Sequence, residues 1–253
     1  QLDAIYFSPH KFLGGPGASG ILLFNKDLYN NKVPDSPGGG TVDWTNPWGK
    51  HKYVDDIESR EDGGTPAFLQ TIKTALSLQL KDKMGVQNII DREHELHKII
   101  WEKFSGIGNL HVLAHNFENR LGVYSFYIEG LHFNLAVQLL NDRFGIQVRG
   151  GCSCAGTYGH ILLDVNMDLS NNITERIDVG DLSLKPGWVR MSIHPTMSDD
   201  EIHYIMKAIA ELSEKYTDWA KDYTYNNNSN EFVYKDIFFA KNNKERAESW
   251  FKL

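Results

Sequence analysis

An amine, an imidazole and a hydroxyl fall within four residues at Ser8-Pro9-His10-Lys11, and the stretch Gly14-Gly15-Pro16-Gly17-Ala18-Ser19-Gly20 follows almost directly. A lysine held in a partly dry loop can have its pKa lowered, so that the neutral amine forms a Schiff base with a carbonyl. Ser8 and His10 offer donors to an anion, and glycines let backbone come close to neighbours or ligand. Taken alone, a glycine-rich loop beside a lysine is more often a solvated turn. No GxxxxGK[ST] pattern is present, so a nucleoside-triphosphate loop is not supported.

A second constellation is Arg149-Gly150-Gly151-Cys152-Ser153-Cys154-Ala155. A thiolate attacks sulfur well when its loop is exposed and a cation stands near, and Arg149 is close enough in sequence to be that cation. Free cysteines are more often inert small core residues. Cysteines spaced as Cys152 and Cys154 rarely form a relaxed disulfide, and a single Cys-x-Cys is a weak metal signal. A reducing, cytoplasmic-type compartment is the simplest reading. Arg190 offers a planar guanidinium suited to a carboxylate, although most such arginines are surface or salt-bridge residues. Thr65, in Gly63-Gly64-Thr65-Pro66, is expected to cap a helix whose N-terminus favours an anion. His51, His94, His97, His115 and His203 show no ligand spacing, and no metal site is expected.

The elements that must position these groups follow from periodicity. Ala4 to Phe7 and Gly20 to Phe24 read as strand, tight loop, strand, with Lys11 at the loop's start. A loop-rich stretch runs from Pro34 to Gly64 and includes Gly38-Gly39-Gly40. A helix then opens with Pro66 in its first position, and Phe68, Ile72, Ala75 and Leu76 form one apolar stripe. A second helix is predicted over Val86 to Phe104, strands over 110–114 and 121–128, a helix over Phe133 to Arg143 and a short strand over Ile146 to Arg149. The stretch from Gly156 to Pro186 reads as polar and irregular: a lid, a partner-binding loop or, by default, a solvated excursion. In the strand Trp188 to Ile193, Val189, Met191 and Ile193 point to the core, while Trp188, Arg190 and Ser192 point away. Ser198-Asp199-Asp200-Glu201 is a capping box that starts a helix with Ile202, Ile205, Met206 and Ile209 inward. Asn226 to Asn230 reads as a linker or disordered turn, Phe232 to Phe239 as an added strand and Lys244 to Leu253 as a short helix.

The chain has 253 residues, 41% of them hydrophobic, which suits a globular core and argues against disorder. No apolar run reaches the about 20 residues that a membrane helix needs. The formal charge of -7 makes nonspecific nucleic-acid binding an unfavoured function. The chain opens on Gln1 and enters a strand almost at once, from which the true N-terminus is expected to lie elsewhere.

These motifs resemble those of the class V, fold-type I pyridoxal phosphate enzymes, and of cysteine desulfurases in particular, over Asp3 to about Tyr216. Ser-x-His-Lys before a glycine loop matches that family's cofactor-lysine motif, and Arg149 to Ala155 matches its Arg-x-Gly-x-x-Cys-Ala motif. The resemblance implies an α/β fold: residues 1–85 as the C-terminal part of the cofactor-binding large domain, 86–220 as a small α+β C-terminal domain, and 221–253 as a tail with no assigned role. It implies that Lys11 holds pyridoxal 5′-phosphate as a Schiff base, that Ser8 and His10 face the cofactor phosphate, and that Thr65 reaches the phosphate of the other subunit of a homodimer. It makes Cys154 the nucleophile and Cys152 not, and has Arg190, with Arg149, hold the substrate α-carboxylate. The implied activity is removal of sulfur from cysteine through a Cys154 persulfide, with a small amino-acid substrate, a sulfur-acceptor protein, no nucleic acid and no membrane. Other class V activities (amino transfer, a lyase, an epimerase), or a fragment inactive by itself, are the alternatives. The family's N-terminal half, which supplies the ring-stacking aromatic and the aspartate at the pyridine nitrogen, is not in this sequence. The link from Cys154 to Arg190 is also longer than in many desulfurases.

Overall fold

The computed structural model describes residues 2–236 and 245–252. The chain divides into two compact units, residues 1–89 and 90–253.

In the first unit, β1 (Ala4–Phe7) and β2 (Ile21–Phe24) pair antiparallel, Ala4 opposite Phe24 and Phe7 opposite Ile21, as the two apolar runs predict. The connection between them holds a 3-10 turn over Pro9–Lys11. A second hairpin, β3 (Val42–Thr45) with β4 (His51–Tyr53), carries a register shift between Val42 and Trp44. The short α1 (Ile57–Glu61) is capped by Asp56, and α2 spans Phe68–Met84.

Two expectations fail at α2. Thr65 is not its cap: the N-cap is Ala67, which makes no side-chain cap bond. Proline disfavours helical dihedrals at the residue before it, which keeps Thr65 out of the helix, and Phe68 N–H already bonds back to the Pro66 carbonyl. The stripe of Phe68, Ile72 and Leu76 is exposed, 56% or more for each, and the buried positions are Thr74 and Ser77. The small polar face is the one that packs, because Thr74 Oγ1 donates to the Ser19 carbonyl at 3.1 Å, and a larger side chain would hold the two segments apart.

The second unit is built on a four-stranded antiparallel sheet in the order β5-β6-β8-β7. Its strands are β5 (Leu110–Val112), β6 (Val123–Ile128), β7 (Arg149–Gly151) and β8 (Trp188–Ser192). The helix α3 (Val86–Ser105) leads in, α4 (Phe133–Phe144) connects β6 to β7, and α7 (Asp199–Trp219) follows β8. β6, α4 and β7 form a β-α-β unit with β8 inserted between its strands, a split arrangement common in α+β domains. Leu96 and Ile100 of α3, Tyr124 and Phe126 of β6, Leu139 and Leu140 of α4, and Ile202 and Ile209 of α7 are fully or almost fully buried in one core with Val189 and Met191. The predicted capping box forms in both directions: Ser198 N–H donates to Glu201 Oε2 at 2.7 Å, and Glu201 N–H to Ser198 Oγ at 3.2 Å.

Residues 156–186 are not irregular. They form α5 (Gly156–Leu162) and α6 (Met167–Asp178), tied by His160 Nε2 to Ser170 Oγ at 2.9 Å. Only Ile173 of α6 is buried, although Leu169, Ile173 and Ile177 recur at helical spacing. Asn226 to Asn230 is an ordered turn between β9 (Tyr223–Asn226) and β10 (Glu231–Tyr234), and the Asn227 carbonyl accepts from Leu182 N–H at 2.9 Å. The predicted strand ends at Tyr234, and its 237–239 portion lies outside the described residues. Residues 245–249 are helical, while Lys244 and Leu253 lie outside the described residues. No helix among the described residues is long and apolar enough to cross a membrane.

Candidate active site

Ser8, His10, Lys11 and Thr65 belong to the first unit, and Arg149, Cys154 and Arg190 to the second. Ser8 precedes the 3-10 turn in an extended conformation, and its hydroxyl makes no cap bond. Pro9 is buried, while Ser8, His10 and Lys11 are exposed. The backbone beneath them is tightly packed. Phe12 N–H bonds the Pro9 carbonyl at 2.8 Å, and Gly15 N–H the Phe12 carbonyl at 2.9 Å. A Cβ on Gly15 would stand 2.0 Å from the Pro9 carbonyl oxygen, so only glycine closes this turn. An amine for a carbonyl carbon, with a hydroxyl and an imidazole for anionic oxygens, is a donor set that suits a phosphorylated aldehyde. Lys81 Nζ lies 5.9 Å from the Phe12 ring centre and adds positive charge beside the turn, a feature no sequence motif marks.

Thr65 is exposed and follows a glycine contact. Gly64 N–H donates to the Gly39 carbonyl at 2.9 Å, and a Cβ on Gly63 would meet the Ser36 carbonyl oxygen at 2.6 Å. The Gly38 to Gly40 run thus holds the segment that presents Thr65. Among the described residues, no hydrogen bond joins Thr65 to the Lys11 turn.

In the second unit, sheet register places Arg149 on β7 directly opposite Arg190 on β8, and Arg190 opposite Ser125 on β6. The three residues form a row on the face away from the core. Arg149 Nη2 donates to Cys154 Sγ at 3.3 Å, so the expected cation is beside the sulfur. Gly150 lets β7 approach α4: a Cβ there would stand 2.7 Å from Asn134 Oδ1 and 3.1 Å from Phe133. Cys152 and Cys154 are both free thiols, the first half-buried and the second exposed.

Cys154 sits in a turn from Cys152 to Ala155, closed by Ala155 N–H to the Cys152 carbonyl at 2.9 Å. Ser153 (φ 52) and Cys154 (φ 64) both occupy the left-handed region. For residues with a Cβ this costs roughly 1–2 kcal/mol each, strain of the kind that collects at working sites. The Ser153 hydroxyl and the Trp188 Nε1 are buried without a hydrogen-bond partner among the described residues. Trp188 departs from expectation. It shares a face with Arg190 yet is only 3% exposed, because α5 covers it, and a Cβ on Gly159 would stand 3.1 Å from its ring.

The family model for Aminotransferase class-V matches residues 1–205. The chain belongs to that family. Its cofactor is pyridoxal 5′-phosphate, and the donor set at Ser8, His10 and Lys11 fits that group. The chain is 30% identical over 156 residues to a probable cysteine desulfurase of Staphylococcus epidermidis, an alignment that takes in 60% of this chain and 36% of the relative. It resembles the apo structure of a cysteine desulfurase from Thermococcus onnurineus NA1 with a TM-score of 0.63 and 26% identity, over 84% of this chain and 47% of that one. A cysteine desulfurase from Escherichia coli has the same TM-score at 20% identity, over 84% of this chain and 46% of that one, a likeness of fold alone. The class V chain is therefore a mixed α/β protein holding part of the fold-type I architecture. It spans about a third of the length of the curated relatives it matches and just under half that of these solved structures.

Proposed function

We propose that this chain carries the lysine and the cysteine of a pyridoxal phosphate-dependent cysteine desulfurase. The observation that carries the reading is the Arg149 contact to Cys154 Sγ, at the end of a strand that pairs Arg149 with Arg190. A reactive cysteine beside one arginine that itself stands opposite a second is what sulfur removal from an amino acid asks for, and what amino transfer or epimerisation has no use for.

Lys11 Nζ would hold the cofactor, and Ser8, His10 and Thr65, the last from the other subunit of a homodimer, would hold its phosphate. When bound, the cofactor supplies an electron sink in conjugation with the substrate's α-carbon. Residues 1–85 act as the C-terminal part of the cofactor-binding domain and 86–220 as the small domain. Lys11, once its amine is free, moves the α-proton. Arg190, with Arg149, holds the α-carboxylate by paired N–H donors, and Ser125 lies beside Arg190 in the same row. The Cys154 thiolate attacks the substrate sulfur and forms a sulfur–sulfur bond. The carbon–sulfur bond breaks, its electron pair stays with carbon, and the fragment leaves as alanine after protonation. The persulfide then passes its outer sulfur to an acceptor protein in a cytoplasmic setting.

The test is a Cys154→Ala variant of the full protein, assayed for alanine and sulfide from L-cysteine. Loss of both, with cofactor binding retained, supports the desulfurase reading. Release at the parent rate rules it out in favour of another class V activity.

A further inference from the structure

We propose that Cys152 is a second sulfur-handling residue, whose thiolate resolves a persulfide on Cys154, expels hydrosulfide and leaves a Cys152–Cys154 disulfide. The proposal rests on the reading of Cys154 as a persulfide carrier. The two cysteines are the only ones in the chain. They are the first and third residues of the turn closed by Ala155 N–H to the Cys152 carbonyl at 2.9 Å. Left-handed dihedrals at Ser153 and Cys154 coil this backbone instead of extending it, which keeps the two cysteines within one tight turn.

The two thiols differ in access. Cys154 is exposed and touches Arg149, whereas Cys152 is half-buried beneath α5, where a Cβ on Gly159 would lie 3.8 Å from the Cys152 Cβ. Cys152 is thereby sheltered from large solution donors, and a sulfur on Cys154 is its nearest reaction partner along the chain. Arg149 places positive charge at the sulfur under attack. The Ser153 hydroxyl between the two cysteines is buried and has no hydrogen-bond partner among the described residues.

The step is balanced without an outside oxidant. The Cys152 thiolate attacks Cys154 Sγ, the bond from Sγ to the outer sulfur breaks, and its electron pair leaves on hydrosulfide. Two thiols are oxidised to a disulfide while the outer sulfur is reduced. A disulfide closed over so short a span is strained and readily reduced, so a low-molecular-weight thiol restores both cysteines. Sulfur that finds no acceptor is thus released, and the protein pauses until it is reduced.

The test uses the purified chain under anaerobic conditions, treated with an alkyl persulfide, with intact mass, peptide mapping and hydrosulfide followed together. The parent protein is expected to release hydrosulfide and finish two hydrogen atoms lighter, with residues 152 and 154 linked. Cys152→Ser and Cys152→Ala, each checked for native circular dichroism, should keep one extra sulfur on Cys154. Their hydrosulfide release should be slower by about 10-fold or more, because the attack is no longer intramolecular. A parent protein that holds the extra sulfur as long as the two variants do overturns the proposal. The desulfurase reading is tested apart, by feeding L-cysteine to the cofactor-loaded full protein. Failure to make alanine there, with the disulfide still forming from alkyl persulfide, sinks that reading and leaves the thiol chemistry standing.

Discussion

Arg149 and Arg190 face each other across adjacent strands, and no carboxylate is hydrogen-bonded or ion-paired to either among the described residues. Like charges directly opposite on a sheet oppose folding, by roughly 0.2–1 kcal/mol. An arrangement that costs stability and offers two planar donor sets suits an anion. Replacing Arg190 by Gln should therefore raise stability by about 0.2–1 kcal/mol in urea unfolding. In the loaded full protein the same variant should weaken amino-acid binding by roughly 10- to 100-fold, the value of a charged hydrogen bond. Lower stability together with unchanged binding would assign Arg190 a structural role.

The contact from Arg149 to Cys154 should show in the sulfur's chemistry. Arg149→Gln should slow alkylation of Cys154 at neutral pH by about 3- to 10-fold, since no fixed cation then balances a thiolate. Cys152, half-buried, should remain the slower thiol in both proteins. Peptide mapping of the alkylated protein separates the two sites, and equal rates in parent and variant count against the contact's importance.

Gly15→Ala should open the turn that carries Lys11, because the added methyl would stand 2.0 Å from the Pro9 carbonyl oxygen and both atoms are backbone-fixed. Overpacking of this kind costs about 1–3 kcal/mol. The full protein bearing the change should lose cofactor absorbance, while the circular dichroism of the second unit's helices persists. Gly39→Ala, where a Cβ would meet nothing within 4 Å, is the control and should bind cofactor normally.

Two histidines set an acid limit. Burial lowers the pKa of His97 and of His132 from the ordinary 6.5. Tyr124, whose own pKa burial pushes up to about 12, is hydrogen-bonded to His97 Nδ1 at 2.8 Å. The unfolded chain binds protons on these residues at higher pH than the folded one does. Stability is then fully present above the unfolded value of 6.5 and falls as pH drops toward the folded values. Urea unfolding from pH 8 to 5 should show this decline, and His97→Gln should flatten part of it. A parent curve that is level across the range would refute the assignment.

The parts of the fold that local chemistry dictates were legible before any coordinates. The β1–β2 hairpin and the α7 capping box each rest on neighbouring residues and each appears as read, and β8 alternates as read from Val189 to Ser192 but not at Trp188. The α2 stripe misled because periodicity reports an apolar face without reporting what covers it. Thr74 and Ser77 pack through smallness, which no hydrophobic count detects. At the candidate site, the motifs singled out Cys154 and Arg149, and the structure joins them. The facing of Arg149 and Arg190 was hidden because strand register is a long-range property, and Trp188 was misplaced because α5 was not foreseen.

The first unit buries none of its large apolar side chains among the described residues: every fully covered one, from Leu96 to Tyr223, lies in the second. A segment that buries so little of its apolar surface, taken by itself, opens to solvent at a smaller free energy than a packed core does. In hydrogen-exchange terms, the amides around Lys11 in this chain should trade before those of β6 and α7.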